Sequence, residues 1–335
     1  MITKIYIFPL LFIIFNLLIV FNYKYLTKKL NIIDFPIEKR KIHKYPTPLF
    51  GGIIIFFNFL LFFTILLIFD YQHLLETFLL TETKALIYFF IIANLIFCLG
   101  LYDDKYNIKA IYRILIIGFL VFCSIFVDST LEINYLKFTF FNHVLNIDKA
   151  SLLFPLLCFV VLIVSCNMSD GINLQSFLFN FVNFLAIYII KENLLALMIL
   201  ISLIFFCFLN IKGKIFLGDS GSYFLSFLMG FFFIKYCNYG YGINAEQTFL
   251  FLIFPVLDAT RCIFTRLIRG KNILSSDNIH LHYLLLKHIG YLKTIIILGV
   301  IYIIPLISYV LNLNTLLVLI IIIFFYSILL IKYQS

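Results

Sequence analysis

The chain has no tryptophan, and only 12% of its 335 residues are charged. A soluble domain carries about 25% charged residues, so a water-exposed globule is excluded. Disorder is excluded too, because 64% of the residues are hydrophobic, 43 of them Phe, and mean hydropathy is +1.11. That much apolar surface cannot stay solvated. The seven Cys show no CxxC or other metal spacing and an odd total, which speaks against zinc and against a disulfide framework. They read as small apolar packing residues. Strands alternating apolar and polar are absent from runs such as 53–57 and 317–325, which are apolar on every side and exclude a membrane β-barrel. No repeat of 20–50 residues, low-complexity tail or soluble domain is visible, so residues 1–335 read as one membrane domain. The first 23 residues hold one Lys and no small-residue cleavage site, which reads as an uncleaved first helix.

What is present is a series of long apolar segments. They fall near 5–23, 49–69, 85–102, 111–127, 151–167, 177–190, 193–210, 221–236, 246–263, 292–311 and 313–332. The expected fold class is therefore an all-α polytopic membrane protein with about 11 transmembrane helices. The 21 Tyr must supply any interfacial aromatic belt. Net charge is +9, and its distribution argues for topology and against nucleic acid. With 24–48 inside, only residues 4, 84, 137, 149, 191 and 235 of the 25 Lys and Arg lie outside. The N-terminus is then outside and the C-terminus cytoplasmic. Alternation at 131–141 suggests a small β-hairpin on the outer face.

Eight of the sixteen acids fall in the outer loops. Five others, Asp103, Asp104, Asp170, Asp219 and Asp258, gather at or near the inner ends of predicted spans. Charge there is costly, so together they point to a site. GLYDDKYNIKAIYR (100–113) pairs Asp103 with Asp104, which suits a divalent cation or a proton acceptor better than a structural pair. KIFLGDSGSYF (214–224) sets Asp219 between glycines at a helix start, where anions and Mg²⁺-bridged phosphates bind. A plain N-cap is the alternative there. NMSDGINLQ (167–175) offers Asn167, Asp170 and Asn173, as nucleoside or metal contacts or simply as a cap and turn. The segment 258–287 carries Arg261, Arg266, Arg269 and Lys271, then His280 and His282, whose i, i+2 spacing suits phosphate contacts in a loop more than a metal on a helix. EKRKIHKYPTPLFGG (38–52), with Lys41, suits an anionic headgroup at the inner leaflet. Positive-inside charge explains part of both basic stretches.

In this order, the five segments resemble the signatures of the polyprenyl-phosphate N-acetylhexosamine-1-phosphate transferases, glycosyltransferase family 4, from about residue 34 to 287. The acidic-pair loop and eleven spans look more like the undecaprenyl-phosphate GlcNAc-1-phosphate transferase branch than the phospho-MurNAc-pentapeptide transferases. The resemblance implies a Mg²⁺-dependent reaction, with Mn²⁺ as a substitute. A polyprenyl phosphate attacks the β-phosphate of a UDP-N-acetyl sugar, UMP leaves, and a lipid-linked envelope glycan is started at the cytoplasmic face of the inner membrane. It implies Asn167 and Asp219 as metal contacts and Asp103, Asp104 and Asp170 as catalytic carboxylates. It implies Arg113, Phe216, Asn173, His280, His282 and Lys41 at the substrates. The lipid bilayer is a partner, and a homodimer is open. Two departures stand out: Tyr283 replaces the last His of H-x-H-H, and Leu174 replaces a Gly of the nucleotide loop. A transporter for an anionic lipid or nucleotide is the competing class; it should carry polar residues along its whole path.

Overall fold

The computed structural model describes residues 2–37, 43–139, 144–273 and 277–334. Lys41 lies outside the described residues. Each of the eleven apolar segments is a helix, as all-round hydrophobicity requires when backbone groups have no water to bond. In chain order the α-helices are α1 (Ile2–Leu30), α2 (Gly51–Phe69), α3 (Tyr71–Thr77), α4 (Thr83–Tyr106), α5 (Ala110–Val127), α6 (Leu153–Ser169) and α7 (Gln175–Lys191). They continue with α8 (Leu194–Asn210), α9 (Gly218–Asn238), α10 (Ala245–Ile268), α11 (Leu281–Ile289), α12 (Tyr291–Val310) and α13 (Thr315–Gln334). Seven of them (α1, α2, α4, α5, α10, α12 and α13) are long and apolar enough to cross a membrane. The helices α6, α7 and α8 are apolar but have 17 residues each. The protein is an all-α polytopic membrane protein.

The helix α9 is the centre of the bundle. Every residue from 220 to 236 is buried, against α4, α6, α2 and α7. Much of the core between α2, α4 and α9 is phenylalanine. Phe56 stacks on Phe97 at 3.7 Å and meets Phe224 edge-on at 5.4 Å; Phe89 packs on Phe231 at 4.5 Å. Two glycines let these helices approach so closely. A Cβ on Gly52 would overlap the backbone of Gly221, and one on Gly100 would overlap that of Ser220. Both contacts fall beside Asp219, so this close packing sets the position of the acid.

Two small antiparallel pairs flank the bundle. The first joins β1 (Ile33–Asp34) to β2 (Thr47–Pro48), and Leu49 bridges onward to Phe216. The second corrects the expected 131–141 hairpin: β3 (Tyr135–Lys137) pairs with β4 (Val144–Asn146). Residues 129–131 form a 3₁₀ turn instead, because the Asp128 carboxylate accepts the Thr130 N–H and Leu131 is drawn into the core. Connecting segments sort to the two ends of the bundle. Asn238 donates to the carbonyls of Thr130 and Glu132, and buried Lys235 pairs with Asp128 at 2.7 Å, at the end away from Asp219.

Candidate active site

Four helices deliver the polar residues around Asp219. The C-terminal end of α4 supplies Asp103 and Asp104, the start of α5 Arg113, the end of α6 Asn167, and the first turns of α9 Asp219 and Tyr223. Asp103 is 1% exposed, and both its oxygens are engaged. One accepts the Ile108 N–H at 2.8 Å; the other accepts Arg113 Nη1 at 2.7 Å and the Tyr223 hydroxyl at 2.8 Å. The backbone contact closes the turn after α4, where Asn107 sits in the left-handed region at φ 50°. Asp104 has a different task. Its two oxygens accept the N–H groups of Asp219 (2.7 Å) and Ser220 (3.1 Å), which begin α9. It is a cap contributed from another helix, and it fixes the backbone that carries Asp219.

The sequence reading missed Tyr223. Its hydroxyl donates to Asp103 and accepts from Arg113 (3.4 Å) and Asn167 Nδ2 (3.1 Å), so it ties three candidate residues into one network. The signal was its position four residues after Asp219, on the same helix face. Asp219 is 28% exposed and meets Arg113 Nη1 at 3.5 Å. Asp103 and Asp104 both act on it electrostatically. Three carboxylates thus share a neighbourhood with one close guanidinium. Hard oxygen atoms and uncompensated negative charge could hold a divalent cation, with Asp219 and the Asn167 amide oxygen as the candidate ligands.

The loop after α6 adds the nucleotide side of the expected site. Asp170 follows the last turn of α6, and burial pushes its carboxyl up to about 6 against a hydrogen bond from Ser176. Gly171 next to it has no room for a Cβ, because the His282 ring packs there. Leu174 adopts φ 66°, the conformation the family's glycine would favour. The loop keeps that shape because Asn210 Oδ1 accepts the Leu174 N–H at 2.7 Å, while Asn210 Nδ2 donates to the Ile215 carbonyl. The Asn173 carbonyl accepts from Tyr291 at 3.3 Å. Phe216 is held by backbone bonds to Pro48 and Gly51 and meets His43 edge-on at 5.1 Å. His43 was not anticipated.

His280 and His282 come from the N-terminus of α11 and are buried, with rings stacked 5.5 Å apart. Burial, with His280 beside it, pushes His282 down to about 3, so it is a neutral ring at neutral pH and not a cation for phosphate. Its Nδ1 lies 3.3 Å from Gln175 Nε2, and Tyr283 packs against it at 4.2 Å. His280 Nδ1 meets Asp258 Oδ2 at 2.7 Å. Arg266 grips Asp277 through two hydrogen bonds of 3.0 and 2.8 Å, which hold the Asp277 carboxyl below its usual range despite partial burial. The structure therefore joins Asp103, Asp104, Arg113, Asn167 and Asp219 in one network, and Asp170 to His282 and His280 through Gly171.

Residues 86–237 match the family described as Glycosyl transferase family 4. The chain is 24% identical over 274 residues to a probable undecaprenyl-phosphate N-acetylglucosaminyl 1-phosphate transferase of Bacillus subtilis (strain 168). That alignment covers 77% of this chain and 70% of the relative. It is 27% identical over 273 residues to an undecaprenyl-phosphate alpha-N-acetylglucosaminyl 1-phosphate transferase of Thermotoga maritima, covering 81% and 78%.

Proposed function

From the match of residues 86–237 to glycosyl transferase family 4 and the two similar transferases, we propose that the chain moves an N-acetylhexosamine 1-phosphate from a UDP-sugar to polyprenyl phosphate. The lipid phosphate oxygen forms a bond to the β-phosphorus, the bond to the α-phosphate oxygen breaks, and UMP leaves. The observation that carries this reading is the meeting of Asp103, Asp104, Arg113, Asn167 and Asp219 from four helices at one end of the bundle. Two anions must be brought together there. Bound Mg²⁺ would offset part of their charge, and Asp219 and Asn167 are the residues to hold it.

The chain's own groups divide the remaining work. Arg113, aligned by Asp103 and Tyr223, presents positive charge where a phosphate arrives. Asp103 already accepts three hydrogen bonds, so its part is to hold Arg113 and the α4–α5 turn. Asp104 itself occupies the N–H groups of Asp219 and Ser220 at the start of α9, so its part is to fix the backbone that carries Asp219. Asp170, His282 and Asn173 line the loop assigned to the nucleotide, and Phe216 is the candidate for stacking on the base. All eleven long helices are taken as spans, with this site at the cytoplasmic face. From 224 to 234, α9 is apolar apart from Ser226 and Gly230, which favours chemistry at one interface over transport across the bundle.

The direct test incubates membranes with polyprenyl phosphate, Mg²⁺ and a panel of radiolabelled UDP-sugars, including GlcNAc, GalNAc and MurNAc-pentapeptide. Label from one donor should enter the lipid phase with release of UMP. Label from none of them would end the proposal. Asp219→Ala should insert normally yet lose upwards of about 10²-fold in rate even at high Mg²⁺. Near-normal turnover would leave Asp219 as a helix-start residue only.

A further inference from the structure

The last helix makes a polar contact that its sequence does not advertise. α13 is apolar and largely lipid-facing, yet Tyr326 is 4% exposed with its ring edge-on to Phe254. Burying a hydroxyl without a partner is costly, and this one has two. It accepts from Arg261 Nε at 2.8 Å and donates to Asp258 Oδ1 at 2.8 Å. Asp258 is the hub. Oδ1 also accepts Arg261 Nη2 (2.9 Å) and the Leu281 N–H that begins α11 (3.1 Å), and Oδ2 faces His280 Nδ1 at 2.7 Å. Arg261 further donates to the Ile279 carbonyl at 2.6 Å. Three helices and the strap before α11 thus converge on one buried carboxylate.

Such a network is a poor device for stability alone, since well-packed apolar groups often serve as well or better. What it does fix is orientation. A proton on His280 Nδ1 held by Asp258 leaves Nε2 as the ring's remaining polar atom, and the Leu281 bond sets the backbone on which that ring stands. We propose that Tyr326, acting through Asp258 and Arg261, is a positioning residue that fixes His280 for contact with the diphosphate of the sugar donor, so that α13 is part of the donor site. The proposal rests on the transferase reading for its substrate, but the clamp itself is a property of the fold.

The test uses the full chain in membranes. Tyr326→Phe removes one oxygen and keeps the ring. One hydrogen bond to a charged group corresponds to about tenfold in an equilibrium, so KM for the UDP-sugar should rise about tenfold. KM for polyprenyl phosphate and the Mg²⁺ requirement should not change. Carbethoxylation of His280 by diethyl pyrocarbonate, read by mass spectrometry, should quicken by a similar factor. Ile322→Ala, one turn earlier on the same buried stripe, is the packing control and should change neither. Equal effects in both variants, or a uniform loss in which KM does not move, would reduce Tyr326 to packing and overturn the proposal. Faster carbethoxylation with unchanged donor KM would overturn it as well, because the clamp would then not serve the donor. If the wild type uses no UDP-sugar, the transferase reading fails, and an unchanged carbethoxylation rate in Tyr326→Phe would sink the clamp separately.

Discussion

Asp103 and Asp104 are neighbours in sequence with unlike surroundings, and that separates the expected effects of mutating them. Asp104 holds the N–H of the metal-binding candidate itself, so Asp104→Asn should loosen Asp219 and raise the Mg²⁺ requirement, with partial rescue by excess Mg²⁺. Asp103 holds Arg113, so Asp103→Asn should weaken phosphate binding and show no such rescue. Titrating Mg²⁺ against initial rate in both variants decides this; the opposite pattern of rescue would reverse the assignment. Acid behaviour gives a second prediction at this scale. Asp170 is raised to about 6 in the fold and His282 lowered to about 3. The folded state therefore binds the Asp170 proton more tightly than the unfolded chain, and the His282 proton less tightly. Asp170 withdraws stability as pH rises from about 4 to 6; His282 withdraws it as pH falls below about 6.5. In detergent melts, Asp170→Asn should gain stability relative to wild type as pH rises through 4–6. His282→Gln should gain relative to wild type as pH falls below 6.5. Parallel curves in all three proteins would show that neither group is perturbed.

The elements were legible where apolar length alone decides, and less so where neighbours decide. All eleven apolar segments are helices within a few residues, but α1 runs on to Leu30 through three lysines, because an exposed helix end needs no apolar face. α11 follows a basic segment that the sequence places in a loop, and Leu281, Leu285 and Ile289 at i, i+4, i+8 are what mark it as a helix. Those three spaced leucine and isoleucine positions were the available signal. At the outer end, nothing in the local pattern announced the Lys235–Asp128 pair, since the partners are 107 positions apart. Lys235 is fully buried on α9 and donates to the Leu79 carbonyl as well, at 2.9 Å. Lys235→Met keeps the length but leaves Asp128 buried without its cation, which should cost about 3–5 kcal/mol. Asp128→Asn with Lys235→Met should recover part of that loss. Unchanged unfolding of the single variant would mean that water already reaches the pair.

For the whole molecule, the charge distribution predicts sidedness, whereas the site's internal wiring needs three-dimensional contacts. Asp219, Asp104, Asn167 and the loop histidines each stand out in short motifs, and Asp258 stands out as an acid at a helix end, but Tyr223 and Tyr326, which complete their networks, are single polar residues in apolar helices and look ordinary there. The segregation of contacts agrees with alternating connectors: the residues around Asp219 lie at one end, and Asp128, Thr130 and Lys235 at the other. The charge bias predicts how that bundle is oriented in a bilayer, because short loops rich in Lys and Arg tend to stay cytoplasmic. On a background freed of the seven native cysteines, Lys41→Cys and Lys271→Cys should resist a membrane-impermeant maleimide in intact cells and react once the cells are opened. Lys149→Cys, exposed beside the outer strand pair, should react at once. Labelling of residue 271 from outside would invert the molecule and place Asp219, Arg113 and His280 where cytoplasmic UDP-sugars cannot reach. The transferase reading could not survive that result, even though every contact within the bundle would stay the same.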